Sequence, residues 1–589
     1  MNSTPALPAL LLVSILSPAV AAQWSAGPAV NLAASDRVGE GTQPKLAARA
    51  DGGFYLSWFD SNPSGSPPFG YDVYLQRFDS AGNEQWAHNG VRVADRGFSS
   101  TTDYDLAVDT GGNALLAFRD DRGTGIQVTA ARYDAGGNAL WGASGVQLTS
   151  TTDFIANPKI AGTSDGNAVV AWIQASSVRL RKLDPAGVPL WGADVVLTPG
   201  AGSYSTGDLD AADAGACILS LVHQTGSFSS PRHLLAQKFD AGGTGLWGAS
   251  PLPVFDGGSL QIGNFPDFEL DGSGGAVFAW YSASPALECF AQRVSAAGAE
   301  LFPHDGVSVS SVAGNVRVAP AVSFDAASQS TYVFYVEKNA LQSQCGVSAQ
   351  AFDASGARQW GAAGQVLVPL GTDSISDVES LVLGSRIAGF WMAEPGFGQD
   401  VGRATLLDAS GSVVVSPFEF SSTPAVKYRL QAERSPYGHA LLAWRDERGA
   451  DADVYVQDVL PSGILGGLAA TVARNGSGAN TVFYTRVTDA RLGGTWTTSV
   501  GHAHHPGANA TLILGRTAPA SGTFIGAGEV LVGGAPLFTH GVPSSGSADL
   551  HSFPVPVSID LVGITAYTQA LIVGGGLELG NALDVTAGL

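Results

Sequence analysis

A nine-residue stretch, Tyr133-Asp134-Ala135-Gly136-Gly137-Asn138-Ala139-Leu140-Trp141, constrains this chain more than any other feature, because copies of it recur at near-constant spacing. Close copies begin at Phe78, Leu183 and Phe239 and end at Trp86, Trp191 and Trp247. Looser ones run from Val294 to Phe302, Phe352 to Trp360 and Leu407 to Val415, with a half-copy from Asp458 to Gly463. Their glycines (Gly82, Gly137, Gly187, Gly243, Gly298, Gly356, Gly411 and Gly463) stand 50 to 58 residues apart. Such a period marks a repeat architecture, in which each unit covers its apolar faces with its neighbours.

A second landmark lies inside each unit, an alternating apolar run ending in an aromatic residue: Trp58, Phe118, Trp172, Trp280, Phe334, Trp391 and Trp444, with Leu219-Ser220-Leu221 in the fourth unit. Glycine turns such as Asp51-Gly52-Gly53 precede most of these runs. Each unit therefore reads as four short antiparallel strands, which suits a chain with 76 glycines and only 14% charged residues. The expected fold is all-β: a β-propeller over residues 23–465, with eight blades and seven as the alternative. Residues 23–30 look like a fourth strand without its signature, and 458–463 like a signature without its fourth strand, so the two ends are expected to complete one blade. Beyond 465 the repeat stops, and residues 466–589 read as a C-terminal β-sandwich of Val, Leu, Ile and Thr runs between Gly and Pro turns.

The signature's chemistry is mainly structural. Asp79, Asp134, Asp184, Asp240 and Asp353 precede a tight turn whose backbone N–H groups a short carboxylate can accept, and the following Trp can pack between blades. The pattern D-x-x-G-x-x-x-W resembles the Asp-box hairpin of sialidase-like propellers, displaced by one residue on each side of the glycine; the resemblance implies the hairpin and not sialidase catalysis. The end of the chain, from Pro554-Val555-Pro556 through Gly580-Asn581-Ala582-Leu583-Asp584-Val585, is similar to C-terminal modules of secreted bacterial proteins of the planctomycete type, which implies an extracytoplasmic accessory or display module without catalytic residues.

Residues 1–22 carry an apolar run followed by Ser17-Pro18-Ala19-Val20-Ala21-Ala22, which reads as a secretory signal. The expected location is therefore extracellular, cell-surface or periplasmic, and the expected state is a monomer without a membrane span. A net charge of −21 leaves no basic footprint for nucleic acid. Of the three cysteines, Cys217 sits in an apolar run, while Cys289 and Cys345 fall at similar places in successive units and are candidates for a disulfide.

Several constellations are candidates for chemistry. Gly162-Thr163-Ser164-Asp165-Gly166 matches G-x-S-x-G but lies between strands, without the helix a nucleophile elbow requires. His502, His504 and His505, with His540 or His551, are candidate zinc ligands. Asp120, Asp121, Asp446 and Glu447, after the second-strand aromatics of two units, are candidate calcium ligands; no other cofactor is expected. Aligning the first strands gives the remaining candidate: Lys45, Asp105, Lys159, Asp208, Asp267, Ala321, Ser380 and Arg429 occupy equivalent places, so they are expected to ring one mouth of the central channel. The interval from Trp58 to Asp79 is nearly twice that from Trp172 to Asp184, which concentrates loop variation, including residues 61–70, on the face away from the signatures. The functional expectation is a secreted, non-enzymatic protein recognising an extracellular polysaccharide or protein. The alternatives are a propeller-type glycoside hydrolase or lyase, and a structural envelope or adhesion component.

Overall fold

A computed structural model describes residues 24–61, 70–97 and 104–589, so the expected leader and most of the loop 61–70 lie outside the described residues. The repeat units form eight antiparallel sheets, seven of them built from consecutive strands. Blade 1, for example, comprises Gly41–Ala48, Phe54–Ser61, Tyr71–Phe78 and Val91–Ala94. Blade 8 takes Lys427–Arg434, Ala440–Asp446 and Asp453–Val459 from the end of the repeat region, and its fourth strand, Leu32–Ala33, from the beginning. Leu32 pairs with Val456 and Ala33 with Tyr455, so the chain's two ends close an eight-bladed ring.

The closing strand lies later than residues 23–30, and the reason is that those residues do a different job. Trp24 stands where the signature Trp stands in a complete copy. Its indole N–H donates to Ser80 O in blade 1 (2.9 Å), as Trp86, Trp141, Trp191, Trp247 and Trp360 donate to Ala135, Pro185, Ala241, Ala296 and Ala409 of the following blade. The signature glycine makes room for this ring. Gly137 has φ of 82°, a conformation costly for any side chain, and a Cβ on Gly187 would lie 3.1 Å from the Trp141 ring. Asp134 holds the hairpin in shape by accepting the N–H groups of Gly136 (2.8 Å) and Asn138 (2.9 Å). Each copy is thus a socket for the aromatic plug of the preceding blade.

Second strands are the most buried elements, as in Phe54–Ser61 and Ala440–Asp446, and their side chains alternate between the two inter-blade cores. That parity disposes of the expected disulfide: Cys289 lies in the core between blades 5 and 6, whereas Cys345 borders the core between blades 6 and 7. The two thiols sit on opposite sides of blade 6 and both are free, as is buried Cys217.

After the repeat, a five-stranded and a three-stranded antiparallel sheet pack on one core that includes Tyr484, Trp496, Ile513, Ile572 and Leu583. Two sheets over a shared core is the layering expected of a sandwich. Its Leu492 and Leu589 join Trp24, Phe54 and Leu460 in a cluster of the propeller, so this module seats on the signature face of blades 8 and 1. Among the described residues, no helix is long and apolar enough to cross a membrane.

Candidate functional site

The inner strands of the eight blades line a central cavity of about 900 Å³. Most of these strands carry a bulge near the middle. The register skips between Thr42 and Lys45, Ala156 and Lys159, Thr206 and Leu209, Val318 and Ala321, Ser376 and Glu379, and Tyr428 and Gln431. At five of these bulges a residue adopts positive φ: Gln43, Asn157, Ala319, Asp377 and Arg429. The strand then resumes with one residue pointing into the channel, and the next inward residue follows two positions later.

This geometry assembles two tiers. The first contains Lys45, Asp105, Lys159, Asp208, Asp267 and Ala321, as expected, together with Glu379 and Gln431. Two expected members are misplaced, both because of bulges. Arg429 is itself the bulged residue (φ 63°), is exposed beside Asp377, and leaves Gln431 to face the channel. Ser380 also borders the cavity, but its hydroxyl meets that of Ser323 in blade 6 (2.7 Å), and Glu379 takes the tier position. The second tier, two residues further along, was not anticipated. It consists of Ala47, Ala107 and Ala161 on blades 1 to 3, then Asp210, Glu269, Ser323, Leu381 and Glu433. The lining continues to Gly272, Ala326 and Gly384, in the turns between first and second strands. The cavity therefore extends toward the signature face, where the channel was expected to open on the opposite one.

Charge in the cavity is lopsided. Lys159 Nζ lies 3.2 Å from Asp208 Oδ1, the one ion pair of the first tier among the described residues. Burial alone would raise Asp208, but Lys159 and Lys45 hold it below the usual carboxylate range. Lys159 in turn is pushed up, because Asp208, Asp105 and Asp267 outweigh its burial. Asp105 accepts the Ile160 N–H (3.0 Å), yet burial raises it against the pull of both lysines. Burial and then the Asp208 charge raise Asp267. Among the described residues, no lysine pairs with the second-tier carboxylates. Burial, opposed by Arg434 and aided by Asp208, lifts Glu269 to about 7 although its side chain is open to the channel. Burial and Glu269 lift Glu433 to about 8, and burial with the charges of Asp208, Glu269 and Glu433 puts Asp210 well above its ordinary value. Glu379 is raised likewise, by burial and then Asp267. Carboxyls that hold protons near neutrality for want of a cation are a binding-site signature.

The other candidates do not assemble. Asp120 is paired with Arg122 (2.7 Å), and Asp121 accepts the Gly97 N–H. Asp446 is wholly buried against Lys427 (2.8 Å), Arg448 and the Trp444 indole, and Glu447 pairs with Arg445 (2.8 Å). These carboxylates belong to blades 2 and 8; Asp120, Asp446 and Glu447 are engaged by basic residues of their own strands and turns, and Asp121 by a backbone N–H. Among the histidines, His502 faces Asp549 (3.3 Å), His504 meets Glu578 (3.1 Å), and His540 bonds His551 through their Nδ1 atoms (3.0 Å). Among the described residues, the group of three prospective metal ligands whose donor atoms lie within 4.8 Å of one another is Asp256, His304 and Asp305. That group is already a hydrogen-bonded clasp, with His304 bridging Asp256 (3.2 Å) and Glu300 (3.0 Å), just as His88 bridges Asp36 and Glu84 in blade 1. Ser164 of the G-x-S-x-G match accepts the Gly215 N–H (2.8 Å) across a blade boundary.

No protein-family model matches the chain, and no curated protein sequence matches it. Solved structures similar to it include the Dos1 propeller (11% identity, TM-score 0.40, covering 73% of this chain and 95% of that one) and the polysaccharide lyase Uly1 (12%, 0.38, 73% and 92%). Puromycin hydrolase is also similar (14%, 0.37), and the match spans 62% of its length. At these identities and scores the likenesses carry no argument about activity; the β-propeller itself is established by the sheet topology of the chain.

Proposed function

We propose that this is a secreted, non-enzymatic β-propeller whose central channel binds an extracellular ligand, a glycan or a protein segment. The observation that carries the reading is the open, charged channel cavity held on a rigid ring, in which the lysines leave most carboxylates uncompensated. Ligand sites on repeat rings sit where the copies differ, and the first-strand columns differ most in charge while the signature copies serve blade packing. The apolar leader-like stretch, the hairpin likeness to the Asp-box, and the C-terminal likeness to modules of secreted bacterial proteins support an extracytoplasmic role, with that module as accessory or anchor.

The experiment is a glycan array probed with the mature protein, followed by titration of any hit against Asp208→Asn and Asp267→Asn. Loss of at least about tenfold in affinity is expected for each, since about 1.4 kcal/mol is at stake in one charged contact. Undiminished binding by both variants would remove the channel as the site. A second reading, a glycoside hydrolase or lyase, draws on Asp208 being held ionised while Glu269 keeps its proton to about 7 in the same cavity, the separation an acid and base pair needs. Release of shortened or unsaturated products from a bound glycan would favour that reading over simple binding.

A further inference from the structure

Two copies of the signature carry a feature that the others lack. Glu84 in blade 1 and Glu300 in blade 5 are each followed four positions on by a histidine, His88 and His304, and then by Asn89-Gly90 and Asp305-Gly306. Both corners are built alike. Asn89 and Asp305 adopt positive φ (69° and 64°), and a side-chain oxygen of each accepts the backbone N–H of an aspartate in the segment entering the blade, Asp36 (2.9 Å) and Asp256 (2.9 Å). Each histidine turns Nδ1 to its glutamate and Nε2 to that aspartate. The difference lies in one side chain. In blade 1 the Asn89 amide donates to Asp36 Oδ1 (3.0 Å), which completes the corner. In blade 5 Asp305 has no hydrogen to give, so two carboxylates face one another beside His304. Among the described residues, no Lys or Arg pairs with either of them. Asp305 is held in place all the same: Oδ1 also accepts the Gly257 N–H (2.9 Å), and a Cβ on Gly257 would collide with Oδ2.

We propose that Asp256, His304 and Asp305 bind a divalent transition ion of the zinc class, independently of the channel, with Glu300 as the residue that positions the imidazole. Their donor atoms lie within 4.8 Å of one another. His304 Nε2 is 3.2 Å from Asp256 Oδ1 and 3.9 Å from Asp305 Oδ1, which brackets the ~3.3 Å between ligands bound ~2.0–2.1 Å from a tetrahedral ion. A neutral His304 that gives its Nδ1–H to Glu300 (3.0 Å) leaves the Nε2 lone pair directed at the two carboxylates. That carboxylate–imidazole pairing is the arrangement that orients histidine ligands and raises their basicity. The group is half-exposed, so water completes the coordination. Calcium and magnesium fit poorly, because they call for more oxygens and gain little from an imidazole.

The ion clips blade 4 to blade 5. Asp256 directly follows the fourth strand of blade 4, Leu252–Phe255, whereas His304 and Asp305 lead into the fourth strand of blade 5, Val307–Ser308. Blade 5 is the blade whose inner edge is broken: Ser259–Leu260 and Phe268–Leu270 pair separately with Ala276–Ser284, and residues 261–267 leave the sheet between them. Asp256 stands three residues before that interrupted strand, so the clip fixes its entry. His233 of blade 4, next to the Leu234–Phe255 pair, lies within reach of the Asp256 and Asp305 charges and is a further imidazole on the same corner.

The test is calorimetric titration of the chelator-treated mature protein with zinc chloride and with calcium chloride, and thermal melts in each ion. Zinc is expected to bind and to raise the melting temperature, and calcium to do neither. Asp305→Asn reproduces the blade 1 corner: it keeps an oxygen for the two N–H groups and removes one ligand. It should melt like wild type without the ion, bind zinc at least about tenfold more weakly at this corner and lose the melting shift, as should His304→Gln. The difference between wild type and these variants isolates this corner from the histidines of the C-terminal module. Asn89→Asp provides the reciprocal case, since it builds the same three ligands around His88 and should raise the zinc stoichiometry by one. Zinc binding and melting shift unchanged in both Asp305→Asn and His304→Gln, calcium bound as tightly as zinc, or no binding up to about 0.1 mM zinc would overturn the proposal. An Asn89→Asp protein that takes up no additional zinc would count against it equally, because the exchange of amide for carboxylate would then not be what makes the site.

Discussion

Alanine in place of Trp24 is expected to destabilise the protein by about 3–5 kcal/mol, the range for emptying a buried aromatic site. Trp24 is 2% exposed, stacks on Phe54 with ring centroids 5.7 Å apart, and fills the socket under Gly82. Its indole N–H also satisfies Ser80 O. The loss falls at the seam, where a two-residue strand closes the ring on blade 8 and Asn31 bonds Phe420 O of blade 7 (2.8 Å). Trp24 ties that same segment to blade 1. Urea denaturation of Trp24→Ala and of Trp360→Ala, a half-buried plug within the ring, provides the comparison: the seam variant should lose more and should expose the Leu32–Ala33 amides to exchange first. A cost below about 1 kcal/mol would show that closure does not depend on the plug.

Gly298→Val is expected to cost about 3–4 kcal/mol, the sum of two independent penalties. Gly298 has φ of 81°, where a β-branched residue is strained, and any Cβ there would lie 2.8 Å from the Trp247 ring. Trp247 cannot retreat, since its indole N–H is fixed on Ala296 O (3.1 Å) and the ring is 7% exposed. Thermal melts of Gly298→Val and of Gly361→Val separate the terms. Gly361 also has positive φ (81°), but nothing stands within 4 Å of its Cβ position, so it should carry the conformational penalty alone. Equal losses at the two sites would contradict the socket-and-plug reading of the signature.

The ring and its unit boundaries were legible because the signature encodes a self-contained hairpin whose glycine and aspartate serve local backbone needs. The first tier was legible for the same reason up to the bulges. Aligning by the first apolar residue works for Lys45 and Lys159, where proline marks the bulge, and slips at Asp377-Val378-Glu379 and Arg429-Leu430-Gln431, where no proline does. A residue in positive φ shifts which neighbour faces inward, and sequence alone does not announce it. The second tier was overlooked although it needed no new principle. Asp210, Glu269 and Glu433 stand two positions after first-tier columns, the spacing that returns a side chain to the same face of a strand. The disulfide expectation failed on a long-range fact, the face parity of Cys289 against Cys345, whereas the calcium candidates Asp120 and Asp446 are engaged locally by Arg122 and Arg448, two residues further along each turn.

The central claim is that the channel holds carboxyls the protein leaves without cations. For such groups the native state keeps a proton that the unfolded chain loses at ordinary carboxylate pH. Their contribution to stability is therefore present at low pH and is lost as pH rises toward the native values of about 7 for Glu269 and about 8 for Glu433. The most direct measurement is a potentiometric difference titration of the wild-type protein against an Asp210→Asn, Glu269→Gln, Glu433→Gln variant. Between about pH 6 and 9 the wild type should release protons that the variant does not, in overlapping steps belonging to the group of three. Superimposable curves over that range would mean that the second tier is ordinary solvated carboxylate, and the channel would lose its standing as a built site.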